Sequence, residues 1–248
     1  MIKFFRRIRQ KLLAENRFSK YLLYALGEII LVVIGILLAL QINTWNEIKK
    51  QRKEEQRILA LLKEEVSRDI SHLDALVKSG QRRAKEMDSL MISLANDTAY
   101  DTDWFLELTY SSLGHEGYFK SSAGTYEESL ASGSIKYIAN ETLRQKIFAY
   151  YSDVKLNYTD KNAQKIIYEN LYPIFFTKIM ATKEALQHAE LPSRLKPIDL
   201  KALGEDPEFM AMIINKRTAE TFQIKDWRIF KEMAQELHDA IQQEITND

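Results

Sequence analysis

From Tyr21 to Ile42 the chain is almost continuously apolar, and only Gly27, Glu28, Gly35 and Gln41 interrupt the run. About 20 such residues, at 1.5 Å of helical rise each, cover the roughly 30 Å hydrocarbon layer, so the pattern predicts a transmembrane helix over 21–43. Fourteen Leu, Ile and Val lie between Leu22 and Ile42. Each returns about 0.3 to 0.6 kcal/mol on insertion, against about 2.5 to 3.5 kcal/mol for charged Glu28, which leaves insertion ahead by roughly 3 kcal/mol.

Beyond the span the apolar spacing changes to a helical period. Leu59, Leu62, Val66, Ile70, Leu73 and Val77 mark one face of a helix from Asn46 to Lys78, with Ser79-Gly80 as its stop. A second helix over about Gln81 to Asn96 would complete an αα-hairpin. Asp97 to Asp103 reads as a loop, Trp104 to Leu113 as a short helix, and Gly114 to Gly124 as an irregular stretch. Thr125 to Ala131 is a further short helix and Ser132-Gly133-Ser134 a turn. Asn140 caps a helix over about Glu141 to Leu171 that Pro173 bends or ends, and helix resumes over Ile174 to Ala189. A connector runs to Gly204. Asp206 as N-cap and Pro207 at the first helical position then start the last helical region, whose apolar pattern blurs near Thr218 to Gln223 and predicts a break or kink near Lys225-Asp226. The expected fold is all-α, one N-terminal transmembrane helix followed by an extramembrane antiparallel helical bundle over 44–248.

Charge sets the orientation. The 35 Lys and Arg balance the 35 Asp and Glu, so no overall excess points to nucleic acid. The tail 1–20 nevertheless carries Lys3, Arg6, Arg7, Arg9, Lys11, Arg17 and Lys20 against the single acid Glu15, whereas Lys49, Lys50, Arg52, Lys53 and Arg57 follow the span. Seven cations against five place the N-terminus in the cytoplasm and the long remainder in the periplasm of a bacterial inner membrane. Arg6, Arg7, Arg9 and Lys11 set topology or rest on the inner leaflet. Tyr21, Tyr24 and Trp45 stand where interfacial aromatics belong. The apolar run is longer than a cleavable signal's, and Gln41 to Thr44 offers no small-residue cleavage site, so the anchor is expected to stay attached.

Within the span, Glu28, Val32, Gly35, Ala39 and Ile42 recur in steps of four and three and form one seam. Gly35 and Ala39 let two backbones approach, and Glu28 facing a partner helix avoids lipid, so Glu28, Gly35 and Ala39 are expected to pack on a second helix, of this chain or another protein.

No chemistry stands out elsewhere. Zero Cys removes disulfides and thiolates, and the four histidines, His72, His115, His188 and His238, are scattered without an HExxH. Asp97, Asp101 and Asp103 lack the glycine and distal Glu of a calcium loop. No phosphate-binding glycine loop or GxSxG occurs, so no catalytic, metal or cofactor-binding residue is assigned. Tyrosines are dense from Tyr100 to Tyr172, which suits either a packed core with wet edges or an aromatic pocket.

The run GEIILVVIGILLALQINTWNE, Gly27 to Glu47, after the basic FFRRIRQKLLAENRFSKYLLYAL of Phe4 to Leu26, resembles the N-terminal signature of an uncharacterised single-span membrane protein family of Bacteroidota. TYEESLASGSIKYIANETLRQKIFAYY, Thr125 to Tyr151, is similar to that family's second recurring segment, and Thr44 departs from the Asn expected at its position. The resemblance implies topology and source type and carries no activity. The expectation is a non-enzymatic membrane-anchored scaffold for protein partners or copies of itself. The alternative is a periplasmic bundle that senses a small molecule near Tyr110 to Tyr151 and signals through a partner membrane protein.

Overall fold

The computed structural model describes residues 18–96 and 101–247, and among them regular structure is helical throughout, with no strand. The chain divides into two compact units, the first ending at Glu55 and the second starting at Gln56.

The first unit is described as the leading part of helix α1, Phe18–Ala95. Its apolar side chains are turned outward, Leu23 at 76% and Leu31 at 71% exposure among them. A solvent-facing run of that length and composition is compatible with a single-pass membrane anchor.

The second unit contains the rest of α1, α2 (Thr102–Leu113), α3 (Gly124–Ser132), α4 (Glu141–Leu156), α5 (Tyr158–Ile166), α6 (Tyr172–Phe175), α7 (Lys183–His188), α8 (Leu200–Glu205) and α9 (Pro207–Asn247). Three caps fall where the sequence puts them. The Asn140 side chain accepts the Leu143 N–H at 3.1 Å, Asp206 accepts those of Glu208 and Phe209 at 2.9 and 3.2 Å, and Gly133 closes α3 with a φ of 72°. Helix α9 packs on α4, α5, α6 and α8. It runs opposite to α1: Lys63 bonds Gln242, Asp74 pairs with Lys231, Arg83 with Glu220 and Asp88 with Arg217, so one number falls as the other rises.

The expected hairpin at Ser79-Gly80 is absent, because α1 passes straight through both residues. Gly80 is there for contact with α9. A Cβ at this position would stand 2.9 Å from Glu220 Oε1 and Ile224 Cγ1 and 3.1 Å from Trp227 Cζ3. Gly80→Ala should therefore lower stability by about 1 to 3 kcal/mol through overpacking, even though alanine gains up to about 1 kcal/mol of helix propensity. Denaturant unfolding followed by circular dichroism checks the sign, and a stabilised variant would mean that Gly80 has no packing role.

Three other places differ from the sequence reading. The helix expected over Glu141 to Leu171 stops at Leu156, where Asn157 takes the cap position of α5 and its side chain accepts the Asp160 N–H at 3.2 Å. Pro173 does not end its helix. Without an N–H, and with its ring against the turn before it, it is accommodated by widened π turns over Ile167–Leu171 and Phe176–Met180, in which Tyr172 N–H reaches back to the Ile167 carbonyl. Nor is there a break near Lys225-Asp226, since α9 is continuous from Pro207 to Asn247.

The interior holds two apolar clusters. One gathers Ile58, Leu62, Leu73, Tyr150, Trp227 and Leu237. The other gathers Met87, Leu90, Phe105, Phe175, Phe209 and Met212. Along α1 the changeover falls between Ala84 of the first cluster and Met87 of the second, next to buried Arg83; along α9 it is occupied by Lys216, Glu220 and Gln223.

Candidate functional site

Between α2 and α3 the chain runs from Gly114 to Ala123 without regular structure, so its backbone groups need partners from elsewhere. Carboxylates supply three of them here and at the start of α3. Phe119 N–H donates to Asp160 Oδ2, Ser122 N–H to Asp69 Oδ1 and Thr125 N–H to Glu65 Oε1, each at 2.7 Å. Glu65 and Asp69 lie one turn apart on α1 and also take hydroxyls from α4: Tyr150 donates to Asp69 at 2.7 Å and Tyr151 to Glu65 at 3.4 Å. Asp160, on α5, is saturated. Besides Phe119 it accepts from Asn157 Nδ2 and Gln223 Nε2, both at 2.8 Å, and from Trp227 Nε1 at 3.1 Å to each oxygen. Four N–H donors around one buried carboxylate offset its desolvation without a cation.

Burial pushes the Tyr150 and Tyr151 hydroxyls up, reinforced by Asp69 and Glu65 respectively. Burial also lifts the Asp69 carboxyl above its ordinary 3.8, against the pull of its bonds from Ser122 and Tyr150. A carboxyl raised in this way keeps its proton in the folded chain at pH values where the unfolded chain has lost it. Its contribution to stability therefore falls as pH rises from 3.8 through the raised value. Asp69→Asn keeps both partners, accepting from Ser122 with Oδ1 and donating to the Tyr150 oxygen with Nδ2. Relative to this variant, the unaltered chain should lose stability as pH rises from 3.8 and hold level once Asp69 is ionised in the folded chain too, as unfolding midpoints taken across a pH series would record. A difference that does not vary with pH would refute the raised Asp69.

The pinned segment forms one wall of a cleft of about 590 Å³, and α3, α4 and α5 supply the rest. Its aromatic lining is Tyr118, Phe119, Tyr126 and Tyr151. Tyr126 stacks on Tyr151 with centroids 4.3 Å apart and planes 11° from parallel, and Phe148 meets its edge at 6.0 Å. Tyr118 is 53% exposed and Leu130 is also open to solvent. Lys120, Lys155 and Lys161 stand on the rim with Glu127, while Asn157 and Asp160 form the polar floor.

A second polar group is sealed between the two apolar clusters. Arg83 Nη2 bonds Glu220 Oε1 at 2.5 Å, and Lys216 Nζ lies 3.6 Å from Glu220 Oε2, with all three side chains at most 5% exposed. At 3.6 Å the Lys216–Glu220 contact is an ion pair by proximity without a hydrogen bond. Burial pulls the Lys216 ammonium below its ordinary 10.5, against the attraction of Glu220. Gln223 extends this row to the cleft floor by donating to the Gly117 carbonyl at 2.9 Å and to Asp160.

Of the residues singled out in the sequence, Glu28, Gly35 and Ala39 share α1 of the first unit, and a Cβ on Gly35 would meet open space. Trp45 is exposed, with Lys49 Nζ 5.6 Å from its ring. The Tyr21 and Tyr24 side chains and Arg6, Arg7, Arg9 and Lys11 lie outside the described residues. Asp101 is a helix cap, accepting the Asp103 N–H at 3.0 Å, and Asp97 is outside the described residues. The tyrosine-rich stretch is divided, with Tyr150 in the core and Tyr118 and Tyr126 lining the cleft. Glu65, Asp69 and Asp160 were not foreseen. The signal for the first two was an acid pair at i and i+4 within the core-facing register set by Leu62, Val66 and Leu73.

No curated protein and no solved structure matches the chain. Residues 28–184, which contain the cleft residues, match a family of unknown function (DUF6090). That span is more than half of the 248 residues, and the chain belongs to this family.

Proposed function

We propose that this chain is a single-pass bacterial inner-membrane protein that binds a ligand in the cleft beside Tyr118 and Tyr126 and passes occupancy to a partner membrane protein. In this reading the N-terminus is cytoplasmic, the second unit is an antiparallel bundle in the periplasm, and Glu28, Gly35 and Ala39 face the partner's helix. The cleft carries the proposal. Its volume of about 590 Å³ suits a small molecule, and its walls combine exposed aromatic surface with a few fixed polar groups, the usual make-up of a ligand site. That favours the sensing alternative over the scaffold expected from sequence. The scaffold reading keeps one observation of its own: Ile214, Phe222 and Ile229, spaced by eight and seven along α9, form an exposed apolar stripe that a protein partner would cover.

Thermal-shift screening of the full chain in nanodiscs against a small-molecule collection separates the two. A compound that raises Tm by about 5 °C or more, with the rise lost in Tyr118→Ala, is the expected result. If no compound does so, while photo-crosslinkers placed at Phe222 capture one protein in stoichiometric yield, the scaffold reading replaces the sensing one.

A further inference from the structure

We infer that the occupant of the cleft is an organic anion with an aromatic or apolar body, its charge held by Lys120, Lys155 and Lys161; this rests on the cleft being the binding site. The cations come from two directions, Lys120 from the pinned segment and Lys155 and Lys161 from either side of the α4–α5 junction. Among the described residues none of the three forms an ion pair, so their charges are open to a ligand in the cleft. Lys161 is held in place, donating from Nζ to the Lys155 carbonyl at 3.3 Å and standing 5.9 Å from the Tyr158 ring centroid.

Two acids share the lining. Asp160 already accepts from Phe119, Asn157, Gln223 and Trp227, which leaves its carboxylate no free direction toward the cations. Glu127 alone stands on the rim against three ammonium groups. The rim thus favours an anion, while Tyr118 and Leu130 leave apolar surface uncovered on the wall. A ligand satisfying both carries a carboxylate at one end and a ring or short hydrocarbon at the other.

The chain has no cysteine, so Ser152→Cys provides a single thiol on the cleft wall for a trifluoromethyl tag read by fluorine NMR. The full chain is placed in phosphatidylcholine nanodiscs, which offer no net anionic lipid. The probes are matched pairs, phenylacetate with phenylacetamide and indole-3-acetate with indole-3-acetamide. The acid of each pair should move the tag at lower concentration than its amide. Each single Lys→Gln change at the three positions should weaken the acid up to about fivefold and leave the amide unchanged, and the triple change should erase the preference. An amide that binds as well as its acid overturns the anion and leaves the cleft standing as a ligand site. So does a library of neutral compounds that moves the tag when no acid does. If neither the pairs nor the library move it, both the anion and the ligand site are wrong.

Discussion

Asp160→Ala should cost this protein about 4 kcal/mol of stability, a large share of the 5 to 15 kcal/mol usual for a folded chain. The loss comes from what remains behind. Phe119 N–H, Asn157 Nδ2, Gln223 Nε2 and Trp227 Nε1 all converge on this carboxylate, and Trp227 is fully buried. Each orphaned donor costs about 1 to 3 kcal/mol, lowered where water from the cleft can reach it. Tm should fall by about 10 °C. Asp160→Asn separates acceptor capacity from shape: its amide oxygen still accepts, but its NH₂ meets donors, so an intermediate loss is expected. Because Phe119 belongs to the pinned segment, both variants should also loosen the cleft wall and weaken any ligand found there. A neutral Asp160→Asn would show that the carboxylate is not needed as a double acceptor.

The legible part of this chain is local. The long exposed apolar run, the helical class and the caps at Asn140 and Asp206 follow from residues within a few positions of each other, and all were readable. Gly80 was misread because the same letter serves as a helix stop and as a site of close approach, and only Glu220, Ile224 and Trp227 across the gap decide between them. Asn157 was overlooked for a related reason. Tyr150 and Val154 before it and Ile167 after it keep an apolar rhythm that runs through the break, although Asn157 with Asp160 is itself a helix-start signal. The blurred pattern over Thr218 to Gln223 was a true signal given the wrong meaning. A polar patch in an amphipathic helix suggests a break, but here Glu220 turns inward to Arg83 and Gln223 to Gly117 and Asp160, and α9 continues. Arg83 and Glu220 are separated by 137 positions, and no periodicity links residues so far apart.

That buried row gives the second large effect. Glu220→Leu should destabilise the chain by about 3 to 5 kcal/mol, because Arg83 and Lys216 would remain sealed in with their shared acid gone. The converse is the sharper test. In the triple variant Arg83→Met, Lys216→Met, Glu220→Leu, the three charges of the row are removed together, and stability should return to within about 1 kcal/mol of the unaltered chain or exceed it. Lys216 points the same way, since burial already pulls its ammonium below 10.5. A depressed lysine contributes stability that is present above 10.5 and lost as pH falls toward its lowered value, so at neutral pH it is a burden that methionine removes. Unfolding midpoints of the single and triple variants, compared with those of the unaltered chain, read the result directly. A triple variant as unstable as Glu220→Leu alone would mean that the row holds the two clusters in register by its hydrogen bonds, rather than being an electrostatic liability that Arg83 and Glu220 cancel between them.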